Sequence, residues 1–82
     1  MKNGKAVYME VFKKVFPNIE DGDYEKMEVG NPMEWDSLHH MQLINGLEIA
    51  FSIRLGIDAI INFKSFHQGI GLLQEKYHID MT

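Results

Sequence analysis

Ser37 is the residue best placed to carry chemistry. It follows Asp36 in the run Trp35-Asp36-Ser37-Leu38, which opens directly into an apolar-periodic stretch ending at Phe51. A serine at a helix start faces backbone N–H groups that have no intrahelical partner, and the helix dipole is positive there. A phosphate esterified to its hydroxyl would therefore sit in a favourable field, on the solvent side where a modifying enzyme could reach it. Other chemistry is harder to assemble. His39 and His40 are neighbours on one helix, so they point about 100° apart and do not share a ligand face. No cysteine or ordered carboxylate set completes a metal site around them, and both histidines are expected on the solvated surface. A triad of Ser37, His40 and Asp36 would need a chain of oriented hydrogen bonds, which three near neighbours at a helix start seldom provide. No catalytic residue and no metal ligand is expected.

The elements that must position Ser37 follow from apolar spacing. Val7, Val11 and Val15, with Tyr8 and Phe12 beside them, predict a first helix from about Asn3 to Val15, closed by Lys13, Lys14 and then Pro17. From Asn18 to Asp36 no period holds, and Asp21-Gly22-Asp23 and Gly30-Asn31-Pro32 are turn signals. Ile19, Tyr24, Met27, Val29, Met33 and Trp35 are expected to pin this long loop onto the helices. Its acids, Glu20, Asp21, Asp23, Glu25, Glu28 and Glu34, read as a solvated surface. Ser37 to about Ser52 predicts the second helix, with Asp36 as N-cap and Leu43, Ile44, Leu47, Ala50 and Phe51 facing inward. A short third helix is expected near Asp58, after Gly56, carrying Ile60 and Ile61. Ser65 can cap a fourth from Phe66 to about Tyr77, with Ile70, Leu73 and Tyr77 inward. Gly69 and Gly71 each weaken that helix by roughly 1 kcal/mol against alanine, or mark a close helix–helix approach.

Bulk composition sets the limits. Eighty-two residues make one domain, and with no cysteine there is no disulfide framework and no thiolate of its own. A small domain without staples depends on efficient apolar packing, which favours a helical bundle. A net charge of −4 argues against nucleic acid as a partner. The apolar stretches are too short to span a bilayer, and the polar, lysine-bearing start shows no secretory signal. A cytoplasmic monomer with no membrane insertion is expected.

The sequence resembles the acyl carrier protein family. The resemblance rests on Asp36-Ser37-Leu38 at a loop-to-helix junction, then Leu43, Leu47-Glu48 and Phe51, then Phe63-Lys64-Ser65-Phe66 and Ile70 to Leu73. It covers nearly the whole chain and is strongest from Trp35 to Phe51. It implies an all-α, acyl-carrier-like four-helix bundle, with three longer helices and one short third helix. It implies that Ser37 carries 4′-phosphopantetheine, installed from coenzyme A by a phosphopantetheinyl transferase with magnesium, and that the flanking Asp36 helps position that modification. The thiol of the arm would hold an acyl or aminoacyl group as a thioester, loaded by an acyl- or aminoacyl-loading ligase and passed to a downstream transferase or synthase. Leu38 and Met41 would be apolar partner contacts, with Gln42, Asn45 and Glu48 on the same docking helix. The protein would be a carrier and not an enzyme.

The sequence also departs from the family pattern. Many fatty-acid carriers approach Asp-Ser-Leu through a glycine-rich stretch, whereas here Trp35 precedes Asp36. The exposed part of the second helix carries His39, His40, Gln42 and Asn45, leaving Glu48 alone of the usual acids. Less long-range steering of basic partners follows, and a specialised pathway is expected. In the family an acyl chain can slip between the second and third helices; Phe63 and Phe66 are large residues near that region, and a short or polar cargo is expected. Two other functions stay open. One is an aminoacyl or peptidyl carrier, although such carriers more often have histidine before the serine. The other is an unmodified helical module that only binds proteins.

Overall fold

The computed structural model describes residues 3–81, and among them the regular structure is helical with no strand. Helix α1 spans Gly4–Val15, α2 Ser37–Phe51, α3 Ile57–Asn62 and α4 Phe66–Tyr77; a six-residue 3-10 helix, Asp21–Lys26, lies in the loop between α1 and α2.

Three of the four α-helix starts are fixed by the side chain of the residue before them. The side-chain oxygen of Asn3 accepts from the N–H of Ala6, Asp36 from that of His39, and Ser65 from that of Gln68. Each bond satisfies a donor that the helix itself leaves open. At Ser65 the exchange is nearly reciprocal, because Gln68 accepts in turn from the N–H of Lys64 at 3.2 Å. Helix α2 stops in a Schellman arrangement. Ser52 is left-handed at φ 54°, its N–H donates to Ile49, and the N–H of Ile53 donates back to Glu48.

The core is strongly aromatic. Tyr8, Phe12, Trp35, Phe63 and Phe66 are all fully buried, and their rings meet edge-on or tilted at 4.8 to 6.3 Å between centroids, the offset geometry that aromatic pairs favour. Tyr8 donates its hydroxyl to the carbonyl of Phe66 at 2.6 Å, and burial pushes its pKa well up. Leu43, Ile44 and Leu47 bring the inward face of α2 onto this cluster, and α1 packs against α2.

Several expectations about facing are corrected. On α1 the buried stripe is Tyr8, Val11 and Phe12, with Val7 and Val15 only half-buried; the aromatic rings reach the core and set the phase. On α2 Ala50 is exposed. On α3 Ala59 is the buried residue, while Ile60 is half-buried and Ile61 is 62% exposed. In the loop Tyr24, Met27 and Trp35 are buried, but Val29 is exposed and Met33 is 85% exposed. Backbone bonds do part of the pinning assigned to those side chains: the N–H of Phe66 donates to Met27, and that of Val29 to Lys64. Gly69 marks a close approach, since a Cβ there would collide with the Phe63 ring and the Tyr8 hydroxyl. Gly71 does not, as the space beside it is open.

The six loop acids are all exposed. Two of them reach α1, Lys13 to Asp21 at 3.5 Å and Lys5 to Glu25 at 3.6 Å. Such surface pairs contribute little individually. No helix is long and apolar enough to cross a membrane among the described residues.

Candidate functional site

Ser37 is the first residue of α2 and is exposed. Trp35, buried and hydrogen-bonded, and Asp36, capping, pin the chain on one side, and α2 begins on the other. The hydroxyl is thus held at a defined point on the surface. It borders an open groove of about 560 Å³ between α2 and α3. Asp36, Ser37, His40 and Met41 line it from the α2 side, Ile60, Ile61 and Phe63 from the α3 side, and Glu28, Val29 and Lys64 at its rim. The volume lies in the range of small-molecule sites.

Asp36 does more than cap. Its Oδ1 accepts from the backbone N–H of His39 at 2.9 Å and lies 2.8 Å from the ring Nδ1 of the same residue. The backbone bond first, and the ring bond second, hold its carboxyl below the usual range, so it is ionised at neutral pH. A negative charge at a helix N-terminus is itself favourable.

The two histidines are not simply solvated, which corrects the surface assignment. His39 stacks on Phe16 with ring centroids 5.7 Å apart and bonds Asp36. His40 is half-buried between α2 and α3. The Trp35 indole donates to its Nδ1 at 2.9 Å, and its Nε2 lies 3.0 Å from the carbonyl of Ile60. An indole N–H only donates and a carbonyl only accepts. The arrangement therefore specifies the neutral tautomer with the proton on Nε2. Both nitrogens of His40 are engaged, and Asp36 faces His39, so these residues do not form a relay onto Ser37. A buried indole needs an acceptor, and a histidine five residues downstream was the sequence signal for this link.

The expected docking residues separate by position. Leu38 and Met41 are 64% and 52% exposed, and Gln42 and Asn45 are exposed beside them. Glu48 lies further along α2 and is half-buried; its Oε2 accepts from the N–H of Leu55 at 2.8 Å, bracing the loop into α3. Ile57 and Ile61 on α3 are also largely exposed, so apolar side chains stand on both helices around the groove. Among the described residues no cluster of three or more histidines, cysteines or carboxylates could hold a metal ion.

Comparison with protein-family models, curated proteins and solved structures returns no match for this chain.

Proposed function

We propose that this protein is a discrete carrier: Ser37 holds a 4′-phosphopantetheine arm, and the arm's thiol supplies the thioester chemistry that a cysteine-free chain lacks. The observation that carries the reading is the placement of an exposed serine at the N-terminus of α2, beside a capping carboxylate and at the edge of an apolar groove. An acyl-carrier-like four-helix bundle is the architecture that goes with it.

The residues around Ser37 suit such a group. A phosphodiester there gains the field of the helix terminus, and Val29, Met41 and Ile61 offer apolar surface alongside. In the modification Ser37 Oγ forms the new bond to phosphorus. The pyrophosphate P–O bond of coenzyme A breaks, adenosine 3′,5′-bisphosphate leaves, and the hydroxyl proton passes to a base of the transferase. Leu38 and Met41, with Gln42 and Asn45, offer a partner enzyme an apolar centre with a polar edge. A weakly charged α2 fits a dedicated set of partners, such as a loading ligase and a downstream transferase or synthase, better than general fatty-acid synthesis.

The test is direct. The protein is incubated with coenzyme A, magnesium and a promiscuous phosphopantetheinyl transferase, and its intact mass is measured. The expected result is one added phosphopantetheine on the wild type and none on Ser37→Ala, with both folded by circular dichroism. A folded wild type that gains no mass overturns the carrier function and leaves an unmodified protein-binding module.

A further inference from the structure

Resting on the carrier reading above, we infer that His40 is a positioning residue that clasps α3 to α2, keeps the seam beside Ser37 shut, and so confines the carried group to the open groove.

The clasp is built from both sides. On α3 the Ile60 carbonyl lies in the last turn, where a helix leaves its acceptors unsatisfied. Helix α3 ends at Asn62, and the N–H of Lys64, which would serve Ile60 in a longer helix, is directed to Gln68 instead. The Nε2–H of His40 takes that place from α2 at 3.0 Å. Behind the imidazole, the buried indole of Trp35 donates to Nδ1. The ring is braced as well, stacked on Trp35 at 6.1 Å and edge-on to Phe63 at 6.1 Å. One side chain thus satisfies a buried donor and an orphan acceptor on opposite sides of the seam.

A six-residue helix has almost no stability of its own, so α3 stays where tertiary bonds hold it. Passage of an alkyl chain from the groove inward, past the His40–Ile60 bond to the core, would require α3 to move off that bond, leaving the Ile60 carbonyl without its partner. It would also have to displace Trp35 or Phe63, both fully buried in a close-packed aromatic cluster. The open groove exacts neither cost. Its lining offers Met41 and Ile61 to an apolar group, and Lys64 and Glu28 at the rim to a polar one.

The experiment uses isotope-labelled wild type, His40→Ala and His40→Gln, each loaded at Ser37 from acetyl- or octanoyl-coenzyme A by the transferase and verified by intact mass. Glutamine can accept from Trp35 and donate to Ile60, so it should rescue the clasp. Before loading, the His40 nitrogen resonances of the wild type should show protonated Nε2 and bare Nδ1. After loading, octanoyl should shift the Val29, Met41 and Ile61 methyls in wild type and His40→Gln, leaving the Trp35 indole and the Leu43 and Leu47 methyls as in the acetyl form. In His40→Ala those interior signals should move. Interior shifts in octanoyl wild type overturn the inference even if His40→Ala fails to fold, and so does an unchanged interior in a folded His40→Ala. Absence of any added mass on folded wild type instead overturns the carrier reading and the inference with it.

Discussion

The Asp36 carboxylate binds His39 twice, through the backbone N–H at 2.9 Å and the ring Nδ1 at 2.8 Å. Both bonds favour the ionised form, so the group titrates lower in the folded chain than in the unfolded one. The unfolded state then takes up the proton first as the solution is acidified. The stabilisation is complete above the ordinary aspartate range and is lost as pH falls through the depressed folded value. A carboxyl-detected NMR titration should place the Asp36 midpoint below that of aspartate in an unstructured peptide, with the His39 amide moving in step. A midpoint at or above the peptide value would mean that the cap is not formed in solution.

Capping and modification can be separated at the same residue. Asparagine caps a helix about as well as aspartate, whereas alanine does not. Asp36→Asn should keep a melting temperature close to wild type, and Asp36→Ala should melt lower. Under the proposed function both should accept phosphopantetheine more slowly, because both lack the carboxylate. Wild-type transfer rates in Asp36→Asn would limit Asp36 to its structural role.

The two glycines of α4 should respond in opposite directions. At Gly69 a methyl group meets the Phe63 ring and the Tyr8 hydroxyl. Gly69→Ala should lower stability by about 1–3 kcal/mol, the usual cost of overpacking. At Gly71 the added methyl finds open space, and Gly71→Ala should raise stability by about 0.5–1 kcal/mol from helix propensity alone. Urea denaturation of the two variants reads the contrast; equal signs would contradict the packing described for Gly69.

That contrast marks where sequence reading stops. Both glycines look alike as letters, and only the neighbours brought in from α1 and from Phe63 tell them apart. The starts of α2 and α4 were legible because capping is local: Asp36 and Ser65 each act within three residues of themselves. The place of Ser37 at the first position of α2 was legible for the same reason. The facing of α1 was not, since valines and aromatics both repeat at helical spacing and the core decides which of them turns inward. Nor was the hold of His40 on α3, whose partner Ile60 stands 20 residues away. Met33 and Val29 were misassigned to the interior because backbone bonds from Val29 and Phe66 already hold the loop.

The end of α2 offers a gain. Ser52 is exposed and adopts φ 54° and ψ 46°, a left-handed conformation that costs a residue with a Cβ about 1–2 kcal/mol. Glycine avoids that cost but loses more backbone entropy on folding. The balance favours Ser52→Gly by about 0.5–1 kcal/mol, seen as a higher urea midpoint at an unchanged slope. A lower midpoint would show that the Ser52 hydroxyl makes a stabilising contact that outweighs the strain.

Trp35 is the residue on which the site and the core both depend. Its ring is fully buried against Phe12, Phe16 and Phe63, and its N–H is given to His40. Trp35→Ala should cost about 3–5 kcal/mol, a substantial share of the roughly 4–12 kcal/mol expected for a domain of this length, so that variant should show a much lower urea midpoint. Trp35→Phe keeps one aromatic ring in the cluster but removes the pyrrole half of the indole together with its donor. The lost hydrogen bond and the small cavity together should cost about 2–3 kcal/mol, less than the alanine variant. Both variants lack the single tryptophan, so circular dichroism in urea must replace fluorescence as the readout. Equal losses for Phe and Ala would show that the hydrogen bond, and not the ring, does most of the holding. A Trp35→Ala protein as stable as wild type would remove the aromatic cluster from the account of this fold.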